Sequence, residues 1–195
     1  MAVRKSKIKI KTKATSEAKA KRPAAKARKA LKAASAKRTR STDKPAALCT
    51  IGYEKALPGA VIGELTRAGV KLVVDVRAVA ASRRPGFSKK QLAAGLDEAG
   101  IGYLHLQPLG TPEAGREAAR AGKIDALFRI YDRHLQTKAA QESLGELAGL
   151  VKARKPLLAL LCYCRNPNTC HRSRIVAALE ERMPLAVDDL VPPPA

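Results

Sequence analysis

Tryptophan is absent from these 195 residues, and aromatic side chains are limited to two phenylalanines and four tyrosines. None of the six falls within residues 1–45, so that stretch offers no platform for stacking unpaired bases. Acidic residues are also scarce, 17 against 38 Lys and Arg, for a formal net charge of +21. No run approaches the 18 apolar residues of a membrane span. The charged N-terminus lacks the apolar core of a secretory signal, and none is expected. Its Lys-over-Arg bias, without an amphipathic stripe, argues against a mitochondrial presequence. Four cysteines, three of them within nine positions, point to local chemistry in a reducing cytoplasm, not to a disulfide framework.

The charge is unevenly placed. Residues 1–45 hold 17 Lys and Arg against Glu17 and Asp43, a net +15, whereas residues 46–195 carry only +6. Large apolar side chains in the first stretch are confined to Met1, Val3, Ile8, Ile10 and Leu31. Such a segment cannot offset its ordering entropy by burial and is predicted to be disordered in isolation. Its composition resembles the Lys/Ala/Pro-rich tails of linker histones and bacterial histone-like proteins. Sequence-independent nucleic-acid binding by phosphate neutralisation is the expected role, with a solubilising extension as the alternative.

Residues 46–195 suffice for one domain with a real core. Strand signals at residues 47–51 (ALCTI), 71–76 (KLVVDV), 101–106 (IGYLHL) and 157–162 (LLALLC) alternate with helical stretches. These begin at Pro58, after Ser88 as N-cap, at Glu113 and at Cys170. The stretch 113–154 reads as helix interrupted near Gly122, Thr137 and Gly145, and residues 185–190 as an edge strand. The alternation predicts an α/β domain, a mostly parallel sheet flanked by helices.

In open parallel sheets ligands bind beyond the carboxyl ends of the strands. That rim would receive Gly52 and Tyr53, then Asp75 and Arg77 with the loop residues Ser82, Arg83 and Arg84. It would also receive His105, followed by Leu109-Gly110-Thr111, and finally Cys162, Cys164, Arg165, Cys170, His171 and Arg172. The CHR step at a helix start combines unpaired N–H groups, the positive end of the dipole and nearby arginines. It reads as a phosphate site whose field favours a Cys170 thiolate. Arg77, Arg84 and Arg172 are the candidate anion-binding residues. Asp75 and His105 are the candidate proton carriers, with Cys170 and His171 completing the catalytic set.

Plainer readings stand beside each of these. Cys170 can be a small buried hydrophobe, Asp75 and Arg77 an ion pair that orders a loop, and His105 a satisfied strand residue. A Cys-x5-Arg phosphatase loop starting at Cys164 would need Arg at position 170, where Cys stands. Cys162, Cys164, Cys170 and His171 have zinc-compatible chemistry. Adjacent residues at a helix start are expected to diverge, however, and no second Cys pair exists, so neither a metal nor a cofactor is assigned. A Cys164–Cys170 disulfide switch is a further alternative.

The segments TIGYEKALPGAVIGEL, LVVDVRAVAASRRPGFSKKQLAAGLDEAGIGYLHLQPLG and LLCYCRNPNTCHRSRIVAALEE together resemble the domain-of-unknown-function 488 family over residues 48–189. The resemblance implies a compact α/β domain with polar signature residues at strand ends and no established activity. Cys164 occupies a position where relatives carry Glu, and Tyr53 one where His is common. The expected protein is therefore a cytoplasmic, nucleoid-associated one. It would join an enzyme-like anion-binding domain to a nucleic-acid-binding tail. A non-catalytic DNA-binding or nucleoid accessory protein is the rival reading.

Overall fold

The computed structural model describes residues 45–154 and 156–195, so the predictions made for the basic segment 1–44 lie outside the described residues. Five aliphatic stretches extend as strands: β1 (Ala46–Gly52), β2 (Leu72–Asp75), β3 (Gly102–His105), β4 (Leu158–Cys162) and β5 (Leu185–Leu190). They form one sheet in the order β3-β2-β4-β1-β5, with every pairing parallel. The α/β expectation therefore holds, and the predicted edge strand is β5. It lies parallel to β1, with the Thr50 hydroxyl donating to Asp189 Oδ1 at 2.6 Å.

Six helices connect and cover the strands: α1 (Pro58–Arg67), α2 (Lys89–Glu98), α3 (Glu113–Arg120), α4 (Ile124–Leu135), α5 (Lys138–Lys152) and α6 (His171–Glu180). The period-2 pleat divides β1, β2 and β4 between two cores. Leu48, Val74, Leu158 and Leu160 face α4, α5 and α6, and pack with Tyr131, Leu144, Leu147 and Ile175. Cys49, Ile51, Val73, Ala159 and Leu161 face α1 and α2, and pack with Val61, Leu65, Leu92 and Leu96. β4 is buried along its whole length, as its unbroken apolar sequence requires. Among the described residues no helix is long and apolar enough to cross a membrane.

Two local expectations need correction. The break predicted at Gly145 does not occur, and α5 runs through it. Leu144, Leu147, Ala148 and Val151 are buried on one side of α5, and that packing outweighs the roughly 1 kcal/mol propensity cost of an exposed glycine. Ser88 is the N-cap of α2, but its hydroxyl does not cap. It donates to Ser82 O and accepts from Ser82 N, both at 3.2 Å, closing the loop after β2.

Two glycines let loops at the carboxyl edge approach backbone directly. A Cβ on Gly52 would overlap the Cys164 carbonyl, and one on Gly110 would overlap the Ala78 backbone. We therefore expect Gly52→Ala to push the Cys164 loop outward and to cost about 1–3 kcal/mol by overpacking, read as a lower urea midpoint. Gly145→Ala, where a Cβ meets open space, should hold or raise the midpoint. Equal midpoints for the two variants would remove Gly52 from the loop's support.

Candidate functional site

After β2 the chain turns to α2 on one face, and after β4 it turns to α6 on the other. β2 and β4 are neighbours, so their loops part and leave a crevice at the carboxyl edge. The residues that build it begin with Asp75, the last residue of β2. Its carboxylate is fully buried and receives a fork from Arg77: Nε at 2.8 Å to Oδ1 and Nη2 at 2.6 Å to Oδ2. Asp75 also accepts from the Arg77 backbone N–H at 3.1 Å and from the Tyr103 hydroxyl at 2.6 Å.

The second edge of the Arg77 guanidinium is equally occupied. Nη1 donates to the Tyr53 hydroxyl at 2.8 Å and to Phe87 O at 2.9 Å, while Tyr53 stacks on Phe87 with ring centroids 4.2 Å apart. Burial alone would weaken the Arg77 charge, but the hydrogen bonds it donates to Asp75 outweigh it and hold the guanidinium above its ordinary pKa. Burial, reinforced by the bond to Asp75, raises the Tyr103 phenol well above its usual range. Both carboxylate oxygens of Asp75 are engaged, and His105 Nε2 lies 2.8 Å from Arg77 O.

The loop after β4 supplies sulfur. Cys162 ends the strand, and Cys170 is the N-cap of α6, extended at φ −119° and ψ 145°. His171 Nδ1 lies 3.7 Å from both Cys162 Sγ and Cys170 Sγ. The divergence expected of adjacent helix-start residues therefore fails. Because Cys170 is not helical, its side chain and that of His171 converge on Cys162. His171 Nε2 donates to Val76 O at 2.8 Å, and its ring meets Tyr131 edge-on at 5.0 Å.

Burial disfavours charge on Cys170, yet hydrogen bonds from Cys162 and Cys164 and the nearby imidazole hold its thiol well below the ordinary range. Burial also opposes charge on His171, but the two sulfurs outweigh it and raise the imidazole well above its ordinary pKa. Hydrogen bonds to Cys162 and Cys170 push the Cys164 thiol up. All four cysteines are free, and Cys49, buried on the far side of β1 from α6, is pushed up to about 11 by desolvation.

These elements enclose a cleft of about 540 Å³. Cys162, Cys164, Cys170 and His171 line it together with Arg77, Arg83, Arg84, Thr111, Arg116 and Arg120, and among the described residues no Asp or Glu does. Glu113, outside that lining, stands 4.0 Å from Arg116 Nη2. Val79 and Tyr163 add exposed apolar surface at the mouth.

Of the residues predicted from sequence, Arg77, Arg84, Cys170 and His171 reach this cleft, while Asp75, His105 and Arg172 do not line it. Arg172 is buried and turns inward, its Nη2 donating to Cys164 O at 2.7 Å. Its Nε and Nη1 find no partner among the described residues. Arg174 forks onto Asp132, and Arg165 donates to Pro192 O. Arg116 and Arg120 were missed. Their i, i+4 spacing on α3 places both on one helix face, a signal present in the sequence, but nothing there says that this face looks onto the rim.

Removing one partner of the buried pair leaves an uncompensated charge, so Asp75→Asn should lose about 3–5 kcal/mol of unfolding free energy. Tyr103→Phe, which deletes one charged hydrogen bond, should lose about 1.5–3 kcal/mol. Urea denaturation of both variants measures this, and a wild-type midpoint for Asp75→Asn would deny the pair its structural role.

No curated protein matches this chain. One sequence family, described as Domain of unknown function DUF488, matches residues 58–179, a span reaching from the start of α1 to Leu179 in α6 and thus containing most of the cleft. The chain belongs to that family.

Proposed function

We propose that the domain binds a phosphate-bearing small molecule of nucleotide size in the β2/β4 cleft. The observation that carries this reading is a lining that holds five arginines and, among the described residues, no carboxylate. Arg83, Arg84 and Arg120 have no ion-pair partner among the described residues, so their charge is free for a ligand. Arg84 is steadied by donating to Ala56 O at 2.8 Å, and Arg116 by donating to Thr111 O at 2.9 Å. Guanidinium forks suit phosphate oxygens. The cleft volume falls in the range of small-molecule sites, and Tyr163 and Val79 offer an apolar seat for a ring. In this reading Asp75, Arg77 and His105 build the site, and Arg83, Arg84, Arg116 and Arg120 contact the ligand.

The test is calorimetry of the full chain with phosphate, pyrophosphate and nucleoside triphosphates, wild type against Arg83→Ala and Arg120→Ala. Charged hydrogen bonds of about 1.5–3 kcal/mol each imply that Kd rises roughly tenfold or more per arginine. The basic segment is common to all three proteins, so its own anion binding cancels. Unchanged affinity in both variants would sink the reading.

The second half of the proposal concerns residues 1–45, whose net +15 supports sequence-independent association with nucleic acid. Gel shifts on duplex DNA, full chain against residues 46–195, should show weaker binding for the shorter chain. They should also show a shallower salt dependence, by about 0.9 in the log–log slope for each phosphate that the shorter chain no longer neutralises. Equal binding by the two chains would refute a tail-driven interaction.

A further inference from the structure

The floor of the cleft carries a donor set that neither the anion reading nor the family description uses. Cys162 Sγ, Cys170 Sγ and an imidazole nitrogen of His171 all lie within 4.8 Å of one another, and all three residues are buried. Both sulfurs stand 3.7 Å from Nδ1. An ion with Zn–S bonds near 2.3 Å and a Zn–N bond near 2.05 Å, arranged tetrahedrally, would put its sulfur and nitrogen ligands about 3.6 Å apart. The spacing already present is therefore close to that of a coordinated trio.

A second observation, independent of these distances, concerns the far side of the imidazole. A carbonyl can only accept, so the contact between His171 Nε2 and Val76 O at 2.8 Å fixes the proton on Nε2. In the neutral ring, the form that binds a metal, Nδ1 then turns its lone pair toward the two sulfurs. Anchoring the distal N–H on a backbone carbonyl is how metal-binding histidines are held in tautomer and orientation. Tyr131, edge-on to the ring and itself tied to Leu109 O at 2.6 Å, restricts rotation further.

We propose that Cys162, Cys170 and His171 Nδ1 bind one zinc-class ion, with a fourth position open to the cleft beside Cys164. Thiolate and imidazole donors select zinc over magnesium or calcium. An ion coordinated by two thiolates in a buried site relieves the cost of holding those charges in low dielectric. Three protein ligands and an accessible fourth position are the arrangement of sites that bind an exchangeable molecule, and all four residues line the cleft. The assignment stands on the ligand geometry and holds whether or not the arginines bind phosphate.

The experiment uses the full chain, purified with reductant, stripped with chelator and titrated with cobalt(II), then with zinc(II). One equivalent of cobalt should give a sulfur-to-metal charge-transfer band with tetrahedral d–d absorption, and zinc should bleach both. Cys162→Ser and Cys170→Ser should lose the charge-transfer intensity, whereas Cys49→Ser and Cys164→Ser should keep one equivalent. Because a core serine can impair folding, the wild-type protein supplies a second readout. Zinc should slow alkylation of Cys162 and Cys170, mapped by peptide mass, and leave Cys49 unchanged. Absence of a charge-transfer band in the wild type would overturn the site. Full cobalt binding by a folded Cys162→Ser/Cys170→Ser double variant would do the same. Loss of the ion in Cys164→Ser would overturn the three-ligand assignment.

Discussion

The buried pairing of Asp75 with Arg77 is the constraint on which the carboxyl edge of the sheet depends. A carboxylate with no exposure at the end of a central strand is tolerable only if every lone pair is met, and here the partners are the guanidinium fork, the Arg77 backbone N–H and Tyr103. Meeting them fixes more than the pair. Arg77 reaches across to Tyr53 after β1 and to Phe87 before α2, while its carbonyl receives His105 from β3. One ion pair thus ties together the chain after β1, β2 and β3, and the first part of the cleft wall is set by it.

A different kind of constraint fixes the rest of the wall: backbone approach. The Cys164 carbonyl lies where a side chain on residue 52 would be, and Ala78 lies where one on residue 110 would be. Each contact draws a loop inward over the strand ends. The first brings Cys164 and Cys170 over β1 and β4. The second brings the Gly110-Thr111 turn against the loop after β2, and α3 follows with Arg116 and Arg120. The cleft is what remains between loops held by an ion pair on one side and by glycine contacts on the other.

Much of this was legible in the sequence. The aliphatic runs and their alternation with helical stretches led to a parallel sheet, and parallel strands must deliver Tyr53, Arg77, Cys162 and Cys170 to one edge. Side-chain direction was not legible. Arg172, Arg174 and Arg84 look alike as letters, yet Arg172 is buried, Arg174 pairs with Asp132 and Arg84 opens onto the cleft. That difference arises from packing against residues distant along the chain, which one sequence does not disclose. The convergence of Cys170 with His171 was hidden for a local reason: whether a residue is the N-cap or the first helical residue reverses where its side chain points, and that boundary is the least certain feature of any helix read from sequence.

The partition of charge also gains a spatial meaning. Net charge on residues 46–195 is only +6, yet the arginines are not equivalent contributors to the field outside the domain. Arg77 is cancelled by Asp75 and Arg174 by Asp132, while Arg67 is matched by Glu64 on α1. Arg83, Arg84 and Arg120, which have no ion pair among the described residues, all line the cleft. A cleft with low-dielectric walls concentrates such a field instead of spreading it. At the floor the balance is set locally: burial opposes charge on Cys170, and Cys162, Cys164 and the His171 imidazole outweigh it, favouring the thiolate, the form in which sulfur binds a metal or attacks an electrophile. Arginine walls and a sulfur floor are therefore parts of one cleft: Arg83, Arg84 and Arg120 look onto the same space as Cys162, Cys164, Cys170 and His171, so an ion at the floor and an anionic ligand between the walls would lie within reach of each other.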